Sequence, residues 1–332
     1  MNARTQTIIL VIFAIFCFGC KKTTSHTFLT IEDPEDNSLR ELKLSISLPP
    51  EGVAPMGNGL YPGLVFVHGG SWESGSRGGE GLANEIDTAA SKGYVAITVD
   101  YRLTSEKTIG GQVKYPWPAQ IQDVNCAIRW LKAHAGDYQL DTAKIGIYGG
   151  SAGGQLAFAA SEFNQDPSFE SPQCEHNADS SVNAVVTYAG AADLIHLWEN
   201  SAIMRPKLRN LLGSELDADG DGDLEESDRT RLSLASPVDN LSSLNPIFMV
   251  HASNDIIVPI GGSHALLNAL ELLGREPLLV ELDRGGHTLG GVIWYADILM
   301  YEWLDSKLRG APFSSPCADK STCEVVVPSE NK

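Results

Sequence analysis

Residues 145–154 read Ile-Gly-Ile-Tyr-Gly-Gly-Ser-Ala-Gly-Gly, an apolar run that halts on glycine and presents one serine, Ser151, among small residues. A serine hydroxyl attacks poorly unless the chain turns sharply enough to lift its Oγ above a sheet toward a base, and the G-x-S-x-G spacing of a nucleophile elbow supplies that turn. Gly150 and Ala152 keep the surroundings small, so a following helix can begin beside the strand and aim its first amides at the serine. In a chain with 32 glycines the pattern also arises by chance, as a glycine-rich turn carrying a structural serine, so the flanks decide. Upstream, residues 144–148 read as a short buried strand. Downstream, Ala152, Leu156, Ala157, Ala159 and Ala160 read as a small-residue helix packed on a sheet. Strand, turn and helix in that order are what the elbow requires.

The rest of the chain supplies matching elements. Leu42, Leu44, Ile46 and Leu48 alternate with Lys43, Ser45 and Ser47, the period-2 signature of a half-buried strand that Pro49-Pro50 ends. Short β-rich runs at 64–67 and 95–99 flank a helix at 82–90, and Ile121, Val124, Ile128 and Leu131 follow Pro118 at helical spacing. Strands are expected at 182–188, 247–250 and 278–282, with helices at 263–273 and 292–308. This alternation predicts an α/β fold with a mostly parallel central sheet and helices on both faces. Between Leu194 and Ser236 the pattern lapses, which predicts a small insertion or cap at about 194–236, over the strand ends where ligands bind in such sheets.

A chain of 332 residues, 43% hydrophobic and 20% charged, suffices for one large domain, expected over residues 39–310. Its formal net charge of −18 argues against a nucleic-acid partner, which needs a basic face. Arg4 followed by an apolar run at 8–18 reads as a signal segment over 1–19, too short to span a bilayer. Cys17-Phe18-Gly19-Cys20 resembles a bacterial lipobox, which would make Cys20 the lipidated N-terminus of a membrane-anchored lipoprotein. Phe18 departs from that pattern and leaves ordinary secretory cleavage around 19–26 as the alternative. Either way the mature chain is exported, with residues 20–38 as a polar tether and 311–332 as a C-terminal tail.

Export permits disulfides. Cys317 and Cys323 sit six positions apart in the tail and suit a local bridge, whereas Cys126 reads either as a small buried residue or as the partner of Cys174.

A serine nucleophile needs a base, an acid that orients the base, and donors for the oxyanion. His68-Gly69-Gly70-Ser71-Trp72 follows the strand at 64–67, where glycines let backbone amides approach a substrate carbonyl, with the Ala152 amide as partner. His68 itself reads as an anchor for that loop. Asp255 follows the strand at 247–250 and precedes Val258-Pro259; Asp283 is the competing acid, though it lies so near the candidate histidine that a loop cap suits it better. His287, in Arg284-Gly285-Gly286-His287-Thr288, follows the last strand on a loop able to place an imidazole over Ser151.

The set His68-Gly69-Gly70-x-Trp72, Asp100-Tyr101-Arg102-Leu103, Gly149 to Gly154, Asp255 before Val258-Pro259, and Gly286-His287 resembles the α/β-hydrolase superfamily. More narrowly, it looks like the acetyl- and feruloyl-esterase-like branch near the hormone-sensitive-lipase carboxylesterases, over residues 40–309. The resemblance implies Ser151 as nucleophile, Asp255 as triad acid, His287 as base, and an oxyanion hole drawn from Gly69, Gly70, Ser71 and Ala152. It implies hydrolysis of short-chain or carbohydrate-linked esters through an acyl-enzyme, with no cofactor for catalysis. A serine peptidase of prolyl-oligopeptidase type shares the triad order but carries a large propeller before the hydrolase domain.

Residues 217–228, Asp-Ala-Asp-Gly-Asp-Gly-Asp-Leu-Glu-Glu-Ser-Asp, match an EF-hand loop at positions 1, 3, 5 and 6. Asp217, Asp219 and Asp221 would offer side-chain oxygens to a structural calcium ion, with Asp223 through its carbonyl, Glu225 through water, and Asp228 where a bidentate glutamate is usual. A solvated acidic turn is the alternative. A calcium-binding surface lipoprotein with a vestigial hydrolase fold is the non-enzymatic reading of the chain.

Overall fold

The computed structural model describes residues 23–79, 81–163, 166–213, 215–317 and 322–325. The expected signal segment and Cys20 lie outside these residues. The strands are β1 (Thr24–Glu32), β2 (Leu39–Ser47), β3 (Tyr61–Val67), β4 (Val95–Val99), β5 (Leu140–Gly150), β6 (Ala184–Tyr188), β7 (Ile247–Ala252), β8 (Leu278–Leu282) and β9 (Thr322–Val325). They form one sheet in the order β1-β2-β4-β3-β5-β6-β7-β8-β9. The β1–β2 and β2–β4 pairs are antiparallel and all the rest are parallel.

The helices are α1 (Leu82–Ser91), α2 (Ala119–Ala133), α3 (Ala135–Tyr138), α4 (Ala152–Glu162), α5 (Leu194–Asn200), α6 (Arg205–Leu212), α7 (Glu226–Ala235), α8 (Gly261–Leu272) and α9 (Ile293–Arg309). Because strand side chains alternate, β3 sends Val65 and Val67 into a core with Ile121 and Val124 of α2, Leu156 of α4 and Leu266 of α8, while Leu64 and Phe66 face Ile86 of α1 and Leu304 of α9. Helices therefore cover both faces, and β4, β6 and β7 are buried throughout. The expected strands and helices between residues 39 and 310 are present with ends displaced by a few residues.

Two expectations are corrected at the ends of the chain. Residues 24–32 of the expected tether form β1, paired from Thr24↔Ile46 to Glu32↔Leu39, with Phe28, Leu29 and Ile31 buried. β2 would otherwise be the open edge of the sheet, and β1 satisfies its backbone groups. In the expected tail, residues 322–325 form β9 beside β8. Cys317 is bonded to Cys323, and Cys126 to Cys174, which ties α2 to the loop before β6.

Candidate active site

Ser151 sits at the elbow between β5 and α4 with φ 54° and ψ −122°, a left-handed backbone that the local packing must hold in place. Its amide donates to the Tyr188 carbonyl of the neighbouring strand at 2.9 Å. The turn is tight: a Cβ on Gly149 would lie 2.0 Å from the Gly153 carbonyl oxygen, so this approach admits only glycine.

His287 is carried by the loop after β8, and Asp255 by the loop after β7. The Gly286 amide donates to Asn254 Oδ1 at 2.9 Å, which fastens one loop to the other. Nε2 of His287 lies 2.8 Å from Ser151 Oγ, and Nδ1 lies 2.8 Å from Asp255 Oδ2. Because a carboxylate only accepts, Nδ1 carries the hydrogen and Nε2 is left to accept from the serine hydroxyl. Asp255 Oδ1 accepts from the amides of Ile257 and Val258 at 2.9 and 3.0 Å. Burial alone would raise this carboxyl's pKa, but hydrogen bonds from His251 and His287, the charge of His287 and the Val258 amide together hold it well below the usual carboxylate range. Asp283, the competing acid, pairs instead with Arg284.

The loop after β3 faces the serine. His68 is buried, donates from Nδ1 to the Gly69 carbonyl at 2.7 Å, and stacks on Tyr101 with ring centroids 4.0 Å apart. The Tyr101 hydroxyl donates to the carbonyls of His68 and Gly69 at 3.0 and 3.3 Å, while the Gly70 carbonyl accepts from Glu73 and Ser74, both at 3.0 Å. In a trans peptide the N–H points opposite the C=O, so these anchors turn the amides of Gly70 and Ser71 to the other side of the loop. Ala152 opens α4, where the first amides have no acceptor within the helix. Gly69, Gly70, Ser71, Ser151 and His287 line one cavity of about 450 Å³ that continues over Tyr148, Tyr188, Leu82 and Ile293.

The insertion braces both loops. Lys207 and Asn210 of α6 hold Glu73 of the loop after β3, and Ser201 Oγ donates to the Ile257 carbonyl at 2.8 Å. Trp72 Nε1 donates to Gln155 Oε1 at 3.0 Å, and Gln155 donates to the Ala235 carbonyl at 3.0 Å, linking that loop to α4 and α7. Sequence reasoning gave no role to Glu73, Gln155 or His251; the first two carry no local signal, and His251 is marked only by its place before the acid.

In the acidic loop the carboxylates of Asp217, Asp219 and Asp221 converge, with oxygens within 4.8 Å of one another. Among the other three expected ligands, Asp228 has a structural duty of its own. Asp228 accepts from the amides of Asp217 and Glu225, and with Glu225 makes the capping box of α7, while Asp223 is exposed. Asp217 is itself buried and paired with Arg209 of α6.

A mostly parallel sheet with a serine on an elbow after its middle strand, and acid and base on loops after later strands, defines the α/β-hydrolase class. The BD-FAE family profile matches residues 48–270, and the chain belongs to that family. It is 30% identical to probable carboxylic ester hydrolase LipM of Mycobacterium tuberculosis over 235 residues, 67% of this chain and 47% of the relative. Esterase LipC of the same organism is 30% identical over 229 residues, 68% of this chain and 52% of the relative. The chain thus spans about half the length of the curated relatives it matches. Among solved structures, a truncated carbohydrate esterase from gut microbiota has a TM-score of 0.67 at 24% identity, over 86% of this chain and 96% of that one. Est2, an esterase from Thermogutta terrifontis, has a TM-score of 0.64 at 24% identity, over 86% and 92%. At that identity the likeness establishes the fold.

Proposed function

We propose that the chain is a serine carboxylic ester hydrolase acting on short-chain or carbohydrate-linked esters, acetyl or feruloyl. The observation that carries this is the continuous hydrogen-bond path from Asp255 through His287 to Ser151, with Ser151 and His287 lining the cavity. Its relatives LipM and LipC, named as a probable carboxylic ester hydrolase and an esterase, support the bond type. His287 takes the proton of Ser151 as Oγ attacks the ester carbonyl, and Asp255 stabilises the imidazolium. Amides from Gly70, Ser71 and Ala152 receive the negative charge that develops on the carbonyl oxygen. The alcohol leaves with the proton from His287, and water then hydrolyses the acyl-enzyme by the same route. The mostly apolar cavity of about 450 Å³ has room for an acyl group larger than acetyl.

The same reading has the mature chain exported, anchored through Cys20 or secreted, and the two disulfides support an oxidising compartment. Calcium at the acidic loop is a separate proposal, favoured by the convergence of Asp217, Asp219 and Asp221.

Ser151→Ala tests the reading. It is expected to abolish hydrolysis of p-nitrophenyl acetate and labelling by a fluorophosphonate while leaving the circular dichroism spectrum unchanged; retained hydrolysis overturns the proposal. A panel of p-nitrophenyl esters of rising chain length, beside acetyl-xylan and methyl ferulate, defines the acyl group.

A further inference from the structure

His251 lies in β7, one residue from its end, and is wholly buried, yet acyl transfer as described gives it no task. Its ring spans three groups. Nε2 lies 2.8 Å from the Val258 carbonyl and 3.2 Å from Asp255 Oδ2, and Nδ1 lies 2.8 Å from Ser263 Oγ on α8. A carbonyl and a carboxylate only accept, so Nε2 carries a hydrogen, and in the neutral ring Nδ1 accepts from the Ser263 hydroxyl. The oxygen that receives this N–H is the same Oδ2 that receives His287 Nδ1–H. Asp255 Oδ1 is already occupied by two amides, so His251 is the side-chain donor that shares the working oxygen.

We infer that His251 is a positioning residue for the triad: set in one tautomer by the Val258 carbonyl and Asp255, and steadied in place by Ser263, it fixes the rotation of the Asp255 carboxylate and moderates the grip of Oδ2 on the His287 imidazolium. The inference rests on the ester-hydrolase reading. Other charged groups on the surrounding elements are Glu281 of β8 with its partner His264, Asp193 and His196 by the start of α8, and Asp283 and Arg284 ahead of His287. The test alters none of them.

Kinetics on p-nitrophenyl acetate across pH are compared for wild type, His251→Phe, His251→Gln and Ser263→Ala, each checked by circular dichroism. His251→Phe is expected to lower kcat on the order of tenfold to hundredfold with KM little changed, because a small misplacement of the acid misaims the base. With one donor gone, Oδ2 holds the imidazolium more strongly, so the acid limb of the kcat/KM profile moves to higher pH. His251→Gln, whose amide N–H reaches the Nε2 position, should recover most of the lost rate and return the limb. Ser263→Ala should move the limb in the same direction as His251→Phe, by less. Equal losses in the Phe and Gln variants with an unmoved limb would mean that His251 only supports the fold, and the inference falls. If His251→Phe does not fold, Ser263→Ala decides, and an unmoved limb there overturns the idea. Should wild type fail to hydrolyse esters, the ester-hydrolase reading fails by itself. The low-field proton resonance of the Asp255–His287 hydrogen bond then still judges His251: it shifts in the Phe and Ser263→Ala variants if the inference holds and stays if it does not.

Discussion

Gly70 sits at φ 103°, and a Cβ built on it would lie 2.2 Å from the Ser74 carbonyl oxygen, so a side chain there must displace the loop. The displacement falls on the Ser71 amide, whose direction depends on the Gly70 carbonyl staying bonded to Glu73 and Ser74. Gly70→Ala should therefore lower kcat on the order of 10²–10³-fold, the effect of losing one oxyanion donor. Steady-state kinetics on p-nitrophenyl acetate beside a thermal melt check this, and an unchanged kcat removes the Gly70–Ser71 segment from oxyanion stabilisation. Ser151, Asp255 and His287 were legible in the sequence because each stands at a strand end marked by glycines or by Val258-Pro259. Gln155 and His251 were not, and Tyr101 stood in the Asp100–Leu103 motif with no role attached. Tyr101 bonds carbonyls 32 and 33 positions away and Gln155 bonds Trp72 across 83, and distances of that kind leave no mark in a local pattern.

Elements follow the same logic. The interior strands announce themselves by continuous apolar runs, whereas β1 hides its period: the register shifts between Thr27 and Leu29, so Phe28 and Leu29 are both buried and the alternation reverses. β9 has four residues, too few for a pattern, and its place beside β8 is seen only in the fold. The acidic loop holds a structural duty that its sequence did not show. Asp228 serves α7 as a cap, so Asp228→Ala should destabilise by about 1 kcal/mol with or without calcium. Asp219 has no such duty toward α7, and if the loop takes calcium, Ca²⁺ should raise the Tm of wild type and not that of Asp219→Ala. A thermal-shift titration with magnesium as control reads both arms; a wild-type Tm that ignores calcium overturns the proposal.

At the scale of the whole molecule, stability and the active-site cavity meet on the face of the sheet that α1 and α9 cover. Leu82 and Ile293 line the cavity, and one turn further along their helices come Glu85 and Asp297. Burial, then the neighbouring Asp297 charge, pushes the Glu85 carboxyl up to about 7. Burial pushes Asp297 up to about 6 against the opposing hydrogen bond from Tyr188, which itself lines the cavity. A carboxyl whose pKa is raised by folding binds more protons folded than unfolded, so its contribution is full below the ordinary carboxylate range and is lost as pH climbs through the folded value. Asp255 works in the opposite sense: its depressed pKa contributes stability above the ordinary range that is lost only in strong acid. Between about pH 4 and 7 the Glu85–Asp297 pair therefore governs the slope, and stability should decline as pH rises through that window. Glu85→Gln and Asp297→Asn should each raise Tm at pH 8, by about 2–4 °C for each kcal/mol recovered, and change it much less at pH 4.5. Calorimetric melts at the two pH values decide the matter: equal shifts at both would mean that ionisation of Glu85 and Asp297 does not set the slope.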